Sequence, residues 1–392
     1  MQNPEFCIGG ALGSEYYTKQ GTFNGTGIAL ATEFWNHQER KIMTVYFQHW
    51  TGEIRSIQLT PAGEWIGGTK SEVIAIDAKD ATPISIVSYA LNGTAQVILL
   101  SLSRLPSLIS SNRQQWHLFY IDKINRVRQK VNTNATNIWQ DGPLNRLNLT
   151  TYNAPNVGLQ ACWYGNYYGD SDASKFPTYD GKNNTIPFGV DLGMHLWYPT
   201  NETTFKQYGW YEGQKQWVDQ DTWPNMNAHG GVGCYSWGPG SVTYAMMLNR
   251  QNTAEIWWKD TDTNLTATAE HPINVWKNAT GVALNNLYPS SSLGYTEYFY
   301  GQNSDGSIGG HLINWDAENT TASDEKSFIV AGPKGPALGL KGTHMSVTAV
   351  QDQSGGKSLY VFYQTQGSDL SVFTRDIKGG QWTQTQLPIP DT

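Results

Sequence analysis

At 392 residues the chain is long enough to bury a large core, as one big all-β domain or as two ordinary ones. Charged residues are sparse and the formal balance is −7, so the basic face that nucleic-acid binding requires is missing. No run of about eighteen apolar residues occurs, so no membrane-spanning helix is read. Sixteen Trp, twenty-one Tyr and forty Gly are the unusual counts. Aromatic side chains favour strands and Gly the turns between them, which points to a many-stranded β protein.

The N-terminal "MQNPEFCIGG" has no basic segment followed by an apolar core, so it does not read as a signal peptide. Asn-x-Thr triplets nevertheless fall at Asn24, Asn92, Asn134, Asn148, Asn183, Asn201, Asn264, Asn278 and Asn319. All end in Thr and none in Ser, although Ser is common here. Glycan acceptors on a protein of the secretory pathway, secreted or vacuolar with its signal removed, account for that bias better than chance.

A hairpin pattern then recurs along the chain: an aromatic strand, a polar turn, a second strand and a Trp near Gly. It reads "IMTVYFQHWTGEIRSIQLTPAGEWIGG" from Ile42 and "WHLFYIDKINRVRQKVNTNATNIWQDG" from Trp116. It returns from Met194, from Glu255 ("EIWWKDTDTNLTATAEHPINVWKN"), more weakly from Glu297, and from Leu359. The copies occupy roughly 42–68, 116–142, 194–220, 255–278, 297–315 and 359–384. Segments such as "TPISIVSYAL", "NVGLQACWYG", "GGVGCYSWG" and "THMSVTAVQD" read as one further strand before a hairpin. Each unit is then about four antiparallel strands, the content of a propeller blade. A lone blade cannot cover both its faces, whereas six around an axis can. The expected fold is an all-β, six-bladed β-propeller spanning 1–392 as one domain, its ring closed by N- and C-terminal strands. "PSLISSNRQQ" and "YDGKNNTIPFGVD" read as insertion loops.

Of three cysteines, Cys162 and Cys234 share similar contexts and are the first choice for a bridge, with three buried thiols the alternative. No Cys/His spacing suggests a metal site, and neither metal nor cofactor is expected. Hydrolytic chemistry finds no support. Asp170, Asp172, Glu255 and Glu297 form no paired carboxylate motif, and no nucleophile elbow or phosphate-cradling loop occurs.

With these hairpins in view, the chain resembles the fungal fucose-specific lectins, six-bladed propellers built on a strand "VYYQ", a Gly turn and a strand "IRE". The likeness is clearest at Val45 to Arg55 and at Leu118 to Arg128. It implies sugar sites between blades, held by the Arg and Glu of "IRE" and by aromatic residues of the next blade. Here the copies read Ile54-Arg55-Ser56, Val127-Arg128-Gln129, Phe205-Lys206-Gln207, Leu265-Thr266-Ala267 and Leu370-Ser371-Val372. Arg survives twice and the Glu nowhere, so the charge-assisted acceptor for a hydroxyl is missing from the motif.

The chain is also similar to the lectin-fold hetero-Diels–Alderases of tropolonic sesquiterpenoid biosynthesis, which keep the propeller without the complete sugar signature. That resemblance implies a cofactor-independent pericyclase joining a tropolone o-quinone methide to a humulene-type sesquiterpene. Its chemistry asks for no nucleophile. Holding two reactants in attack geometry is worth about 7–11 kcal/mol at most, and a donor on the electron-poor carbonyl lowers the barrier further. On this reading Arg55, Arg128 and His344 are candidate catalytic donors, and Trp163, Tyr164, Tyr235 and Trp237 candidate walls of the substrate pocket. For the arginines the competing role is a salt bridge across blades. For the rings it is core packing, and for His344 a solvated turn. The other functional class is a secreted lectin, with a fucosylated glycan as partner in place of the small apolar substrate. A homodimer is compatible with either.

Overall fold

The computed structural model describes residues 21–35, 40–60, 62–91, 113–133, 136–164, 193–211, 215–236, 242–260, 265–351 and 356–391. "PSLISSNRQQ" lies largely, and "YDGKNNTIPFGVD" wholly, outside them. Six four-stranded antiparallel sheets follow one another along the described chain. The first is Ile28–Trp35 (β1), Arg40–Gln48 (β2), Ile54–Leu59 (β3) and Trp65–Gly67 (β4). The second is Ser85–Leu91 (β5), Arg113–Ile121 (β6), Val127–Thr133 (β7) and Gln140–Asp141 (β8). The third is Gln160–Tyr164 (β9), Gly193–Asn201 (β10), Thr204–Tyr211 (β11) and Gln216–Pro224 (β12). The fourth is Val232–Ser236 (β13), Val242–Leu248 (β14), Ala254–Asp260 (β15) and Lys277–Leu284 (β16). The fifth is Leu293–Tyr295 (β17), Tyr298–Gln302 (β18), Ile308–Asn314 (β19) and Thr321–Ile329 (β20). A small ribbon of Ala331–Gly332 (β21) and Gly335–Pro336 (β22) precedes the sixth, Met345–Gln351 (β23), Lys357–Tyr363 (β24), Ser371–Asp376 (β25) and Thr383–Gln386 (β26).

The first strands of the sheets touch in cyclic order, β1, β5, β9, β13, β17, β23 and back to β1. That closed ring of inner strands defines a six-bladed β-propeller. Each closing sheet is built from its own end of the chain. They are stitched by Thr22 Oγ1 donating to the Asp369 carbonyl at 3.0 Å and by the His49 ring, 3.0 Å from the Pro390 carbonyl.

The repeat in the sequence has a mechanical cause. Gln48, Gln302 and Gln364, each following an aromatic or glycine run on a second strand, are fully buried. Gln364 Nε2 donates to Thr22, Phe23 and Gly367, while its Oε1 accepts from the Gly25 and Thr26 amides. Gln302 does the same for Gly306, Gly339, Leu340 and Gly342. One side chain thus satisfies the backbone of its own turn and of the loop entering the next blade, where unpaired groups would be costly. Near the axis the loops crowd. A Cβ on Gly158 would lie 2.1 Å from the Gly230 carbonyl oxygen, so only glycine fits there.

One repeat is shifted from its sequence reading. Glu255 does not open a hairpin: Ala254–Asp260 is the third strand of the fourth sheet, paired with Val242–Leu248. Leu265-Thr266-Ala267 lies in the exposed connection to β16. The true second strand, "VTYAMML", is buried almost throughout, as are its counterparts, while the third strand, Ala254–Asp260, carries the tryptophans and the alternation.

Candidate functional site

The ring encloses a cavity of about 260 Å³ along its axis, walled by β1, β5, β9, β13, β17 and β23. Its size approaches the lower end of the range for small-ligand pockets, roughly 300–1,000 Å³. No lining residue among those described carries a formal charge. Aliphatic side chains such as Leu30, Ile86 and Val347 alternate with hydroxyl and amide groups, Thr32, Ser88, Gln160 and Ser236 among them. Tyr235 and Tyr295 enter the wall together with ring centroids 4.1 Å apart. Trp315 backs them, 4.9 Å from Tyr295, and Tyr244 backs Trp315 at 4.7 Å. These packed rings anchor Tyr235 and Tyr295 against the core beside the channel.

Cys162 on β9 and Cys234 on β13 form a disulfide in this wall, with Cα atoms 6.1 Å apart. A separate, smaller cavity of about 30 Å³, which shares Ile28, Ile84, Gln160 and Met345 with the axial one, is bordered by His344 and His229. The His229 ring contacts the Asn156 carbonyl at 2.6 Å, while burial pushes His344 down to about 4, so its imidazole is neutral near neutral pH.

The two arginines lie elsewhere, on third strands in the middle of their blades. Arg55 is wholly buried. Its Nε donates to Glu53 at 2.9 Å and its Nη1 to the Gly68 carbonyl at 3.0 Å. Arg128 Nε pairs with Asp122 at 2.9 Å and stands 4.0 Å from Asp77, whose other oxygen accepts from the Tyr120 hydroxyl at 2.7 Å. Both arginines therefore meet carboxylates in space that do not follow them in sequence, and both form ion pairs beside their own hairpin turns. Neither borders the axial cavity. The hydrogen bond from Arg55 holds the Glu53 carboxyl below its ordinary range.

Gln129 and Gln207, which stand where the resemblance places an acid, are fully buried. Gln129 Nε2 lies 2.9 Å from His117 Nδ1, and its Oε1 accepts from the Leu144 amide at 3.0 Å and the Trp217 indole at 3.4 Å. Gln207 Nε2 lies 3.0 Å from His195 Nδ1, and its Oε1 accepts from the Trp223 indole at 3.1 Å. Burial, with Lys215 adding to it, pushes His117 down to about 3; burial, with Lys259 adding, holds His195 well below the ordinary range. At both positions the glutamine and the histidine are neutral and bonded to each other.

The boundary between the fifth and sixth blades differs. Arg375 on β25 lies 4.0 Å from the Phe328 ring centroid and 4.8 Å from that of Trp382. Its Nε is buried without an acceptor. The guanidinium is thus a cation stacked on two rings whose Nε has no acceptor among the described residues.

Of the remaining residues singled out in the sequence, Trp163 and Tyr164 pair through their backbones with Met194 and Gly193, and their side chains lie outside the described set. Trp237, Asp170 and Asp172 lie outside the described residues. Asn24, Asn148, Asn201 and Asn319 are exposed. Asn278 is half-buried and donates to Glu255 at 3.1 Å. Asn92, Asn134, Asn183 and Asn264 fall outside the described residues. Tyr295, Arg375 and the His–Gln pairs escaped the sequence reading. The pairs had a signal, since "HLFY" and "HLWY" each place a His on the strand opposite a Gln.

No protein-family model and no curated protein matches the chain. Among solved structures, a mutant of the Aleuria aurantia lectin in complex with α-methyl-L-fucoside superposes with a TM-score of 0.66 at 16% identity, over 94% of this chain and 97% of that one. AofleA from Arthrobotrys oligospora gives a TM-score of 0.59 at 12% identity, over 95% and 92%. The BP39L lectin from Burkholderia pseudomallei gives 0.52 at 12%, over 91% and 82%. The chain shares the six-bladed propeller fold of these lectins, at identities that carry the fold and leave the sites to be argued from this protein's own residues.

Proposed function

We propose that the axial channel receives a small, weakly polar molecule and that the protein is a cofactor-independent pericyclase. The reaction we assign is the hetero-Diels–Alder joining of a tropolone o-quinone methide to a humulene-type sesquiterpene. The observation that carries this reading is a channel wall without formal charge, in which aliphatic groups and hydroxyls stand side by side. Such an uncharged, mixed wall can take weakly polar reactants, hold them together, and offer Tyr235 or Tyr295 as donors to a carbonyl that gains electron density as the bonds form. The committed Gln129 and Gln207 side chains support it from the other side, because a monosaccharide there would have to break existing bonds. The test is incubation with a quinone-methide precursor and humulene. Product should form faster and more stereoselectively than in buffer, and Ser88→Phe and Ser346→Phe, which narrow the channel, should lower the rate. Equal rate and stereochemistry with and without protein would overturn the proposal.

A second reading has its own observation. Arg375 between Phe328 and Trp382 offers the cation, spare donor and ring face that a fucoside could use, and the Aleuria aurantia lectin structure is a fucoside complex. Saturable binding of α-methyl-L-fucoside, abolished by Arg375→Ala and indifferent to Ser88→Phe, would establish this reading. No binding at millimolar sugar would remove it.

A further inference from the structure

The boundary between the third and fourth blades holds an amine that forms no ion pair among the described residues. Lys130, Lys206 and Lys357 each meet a carboxylate within 2.9 Å. Lys259 on β15 instead lies over the Trp276 ring, 5.1 Å from its centroid. Trp276 in turn packs edge-on against Trp223 at 5.2 Å and against Trp197 at 6.2 Å, and Trp223 packs against Trp257 at 5.2 Å. The Trp197 indole nitrogen is buried without an acceptor. An ammonium in this setting loses water and gains only a ring face, so the neutral amine is favoured. Two titratable groups face it from the third blade. Asp221 on β12 acts to raise its affinity for a proton, and His195 on β10 is itself held neutral. The balance brings the Lys259 amine down to about 8.

We propose that Lys259 is a covalent attachment point for aromatic aldehydes, a role separate from the axial channel. Its nitrogen lone pair adds to the carbonyl carbon and a carbinolamine forms. The carbon–oxygen bond then breaks, the oxygen leaves as water with the two protons of the amine, and a carbon–nitrogen double bond remains. The surrounding indoles offer flat apolar faces to the aldehyde ring, and the unpaired Trp197 N–H marks polar capacity unused by the protein.

The test uses the full chain with benzaldehyde and sodium cyanoborohydride, which reduces the imine to a stable amine, followed by peptide mass mapping from about pH 6.5 to about pH 10. Near pH 7.5 an amine at about 8 holds on the order of a hundredfold more free base than an ordinary lysine. Lys259 should therefore be modified at least about tenfold faster than exposed Lys70 and Lys378, with a midpoint near 8. Asp221→Asn should move that midpoint lower, and Lys259→Arg should remove the fast phase. Modification of Lys259 no faster than of Lys70, or a midpoint in the ordinary lysine range, overturns the proposal. The wild-type profile decides this even where a variant folds poorly.

Discussion

Gln207 on β11 holds His195 on β10, Nε2 to Nδ1, at 3.0 Å, and one blade earlier Gln129 holds His117 in the same way at 2.9 Å. In the second blade the network assigns the imidazole proton. Gln129 uses its oxygen for Leu144 and Trp217, so its amide nitrogen faces Nδ1, and Nε2–H of His117 points to Gln115 Oε1 at 3.3 Å. Both glutamines are thereby committed to histidines that burial keeps neutral.

Gln207→Leu should be costly for that reason. It leaves the Trp223 indole N–H without its acceptor and removes a partner of His195 inside a buried interface. A loss of about 1–3 kcal/mol is expected, measured by urea unfolding. A loss under a few tenths would show that the pair is dispensable.

Glu53→Gln keeps the shape of the Arg55 partner and deletes its charge. Arg55 is wholly buried while Glu53 keeps 24% of its side chain exposed, so the loss should fall near the lower end of the buried-pair range, about 2–3 kcal/mol. The Glu53 carboxyl is depressed, so its contribution is present above the unfolded carboxylate value and disappears as pH falls through the folded one. Thermal unfolding of wild type and variant should accordingly converge in strong acid.

The histidines give two opposite pH dependences. His271 bridges Asp260 on the fourth blade at 2.9 Å and Glu318 on the fifth at 2.8 Å. Burial opposes its charge, but the hydrogen bonds to Asp260 and Glu318 overcome that and raise it above 6.5. Its contribution is full below 6.5 and is lost as pH rises through the folded value. His117, at about 3, and His344, at about 4, behave the other way. Each stabilises above 6.5 and gives up about 1.4 kcal/mol per pH unit as pH falls toward its folded value. His271→Gln should remove the loss above 6.5 that this histidine contributes and leave the acid-side losses of His117 and His344 unchanged.

Reduction of the Cys162–Cys234 bond should loosen the channel wall, because the bond ties the inner strands of adjacent blades across 72 residues of chain. Denaturant unfolding with and without reductant should differ by about 2–5 kcal/mol. An unchanged midpoint would mean that the inner ring holds without it.

The propeller was legible because its repeat is local. Val45 to Arg55 and Leu118 to Arg128 carry alternation, turn and return strand within a dozen residues, and the spacing of such copies implies a ring. The fourth copy was misread by one strand because its third strand, "AEIWWKD", carries the tryptophans and the period of two. The site was barely legible. Tyr235 does border the channel, but Tyr295 beside it gave no signal in a chain rich in tyrosine.

What the sequence determined alone is the architecture, since hydrophobic period and turn chemistry act over a few residues and survive without knowledge of neighbours. What only the tertiary structure decided is charge in space. Arg55 meets Glu53, Arg128 meets Asp122, Gln129 and Gln207 are committed to histidines, and Lys259 faces an indole instead of a carboxylate. The pairings that cross blades, and the burial that sets the strength of every one of them, depend on how adjacent blades pack around the axis. Electrostatic strength depends on that burial, and no local pattern encodes it.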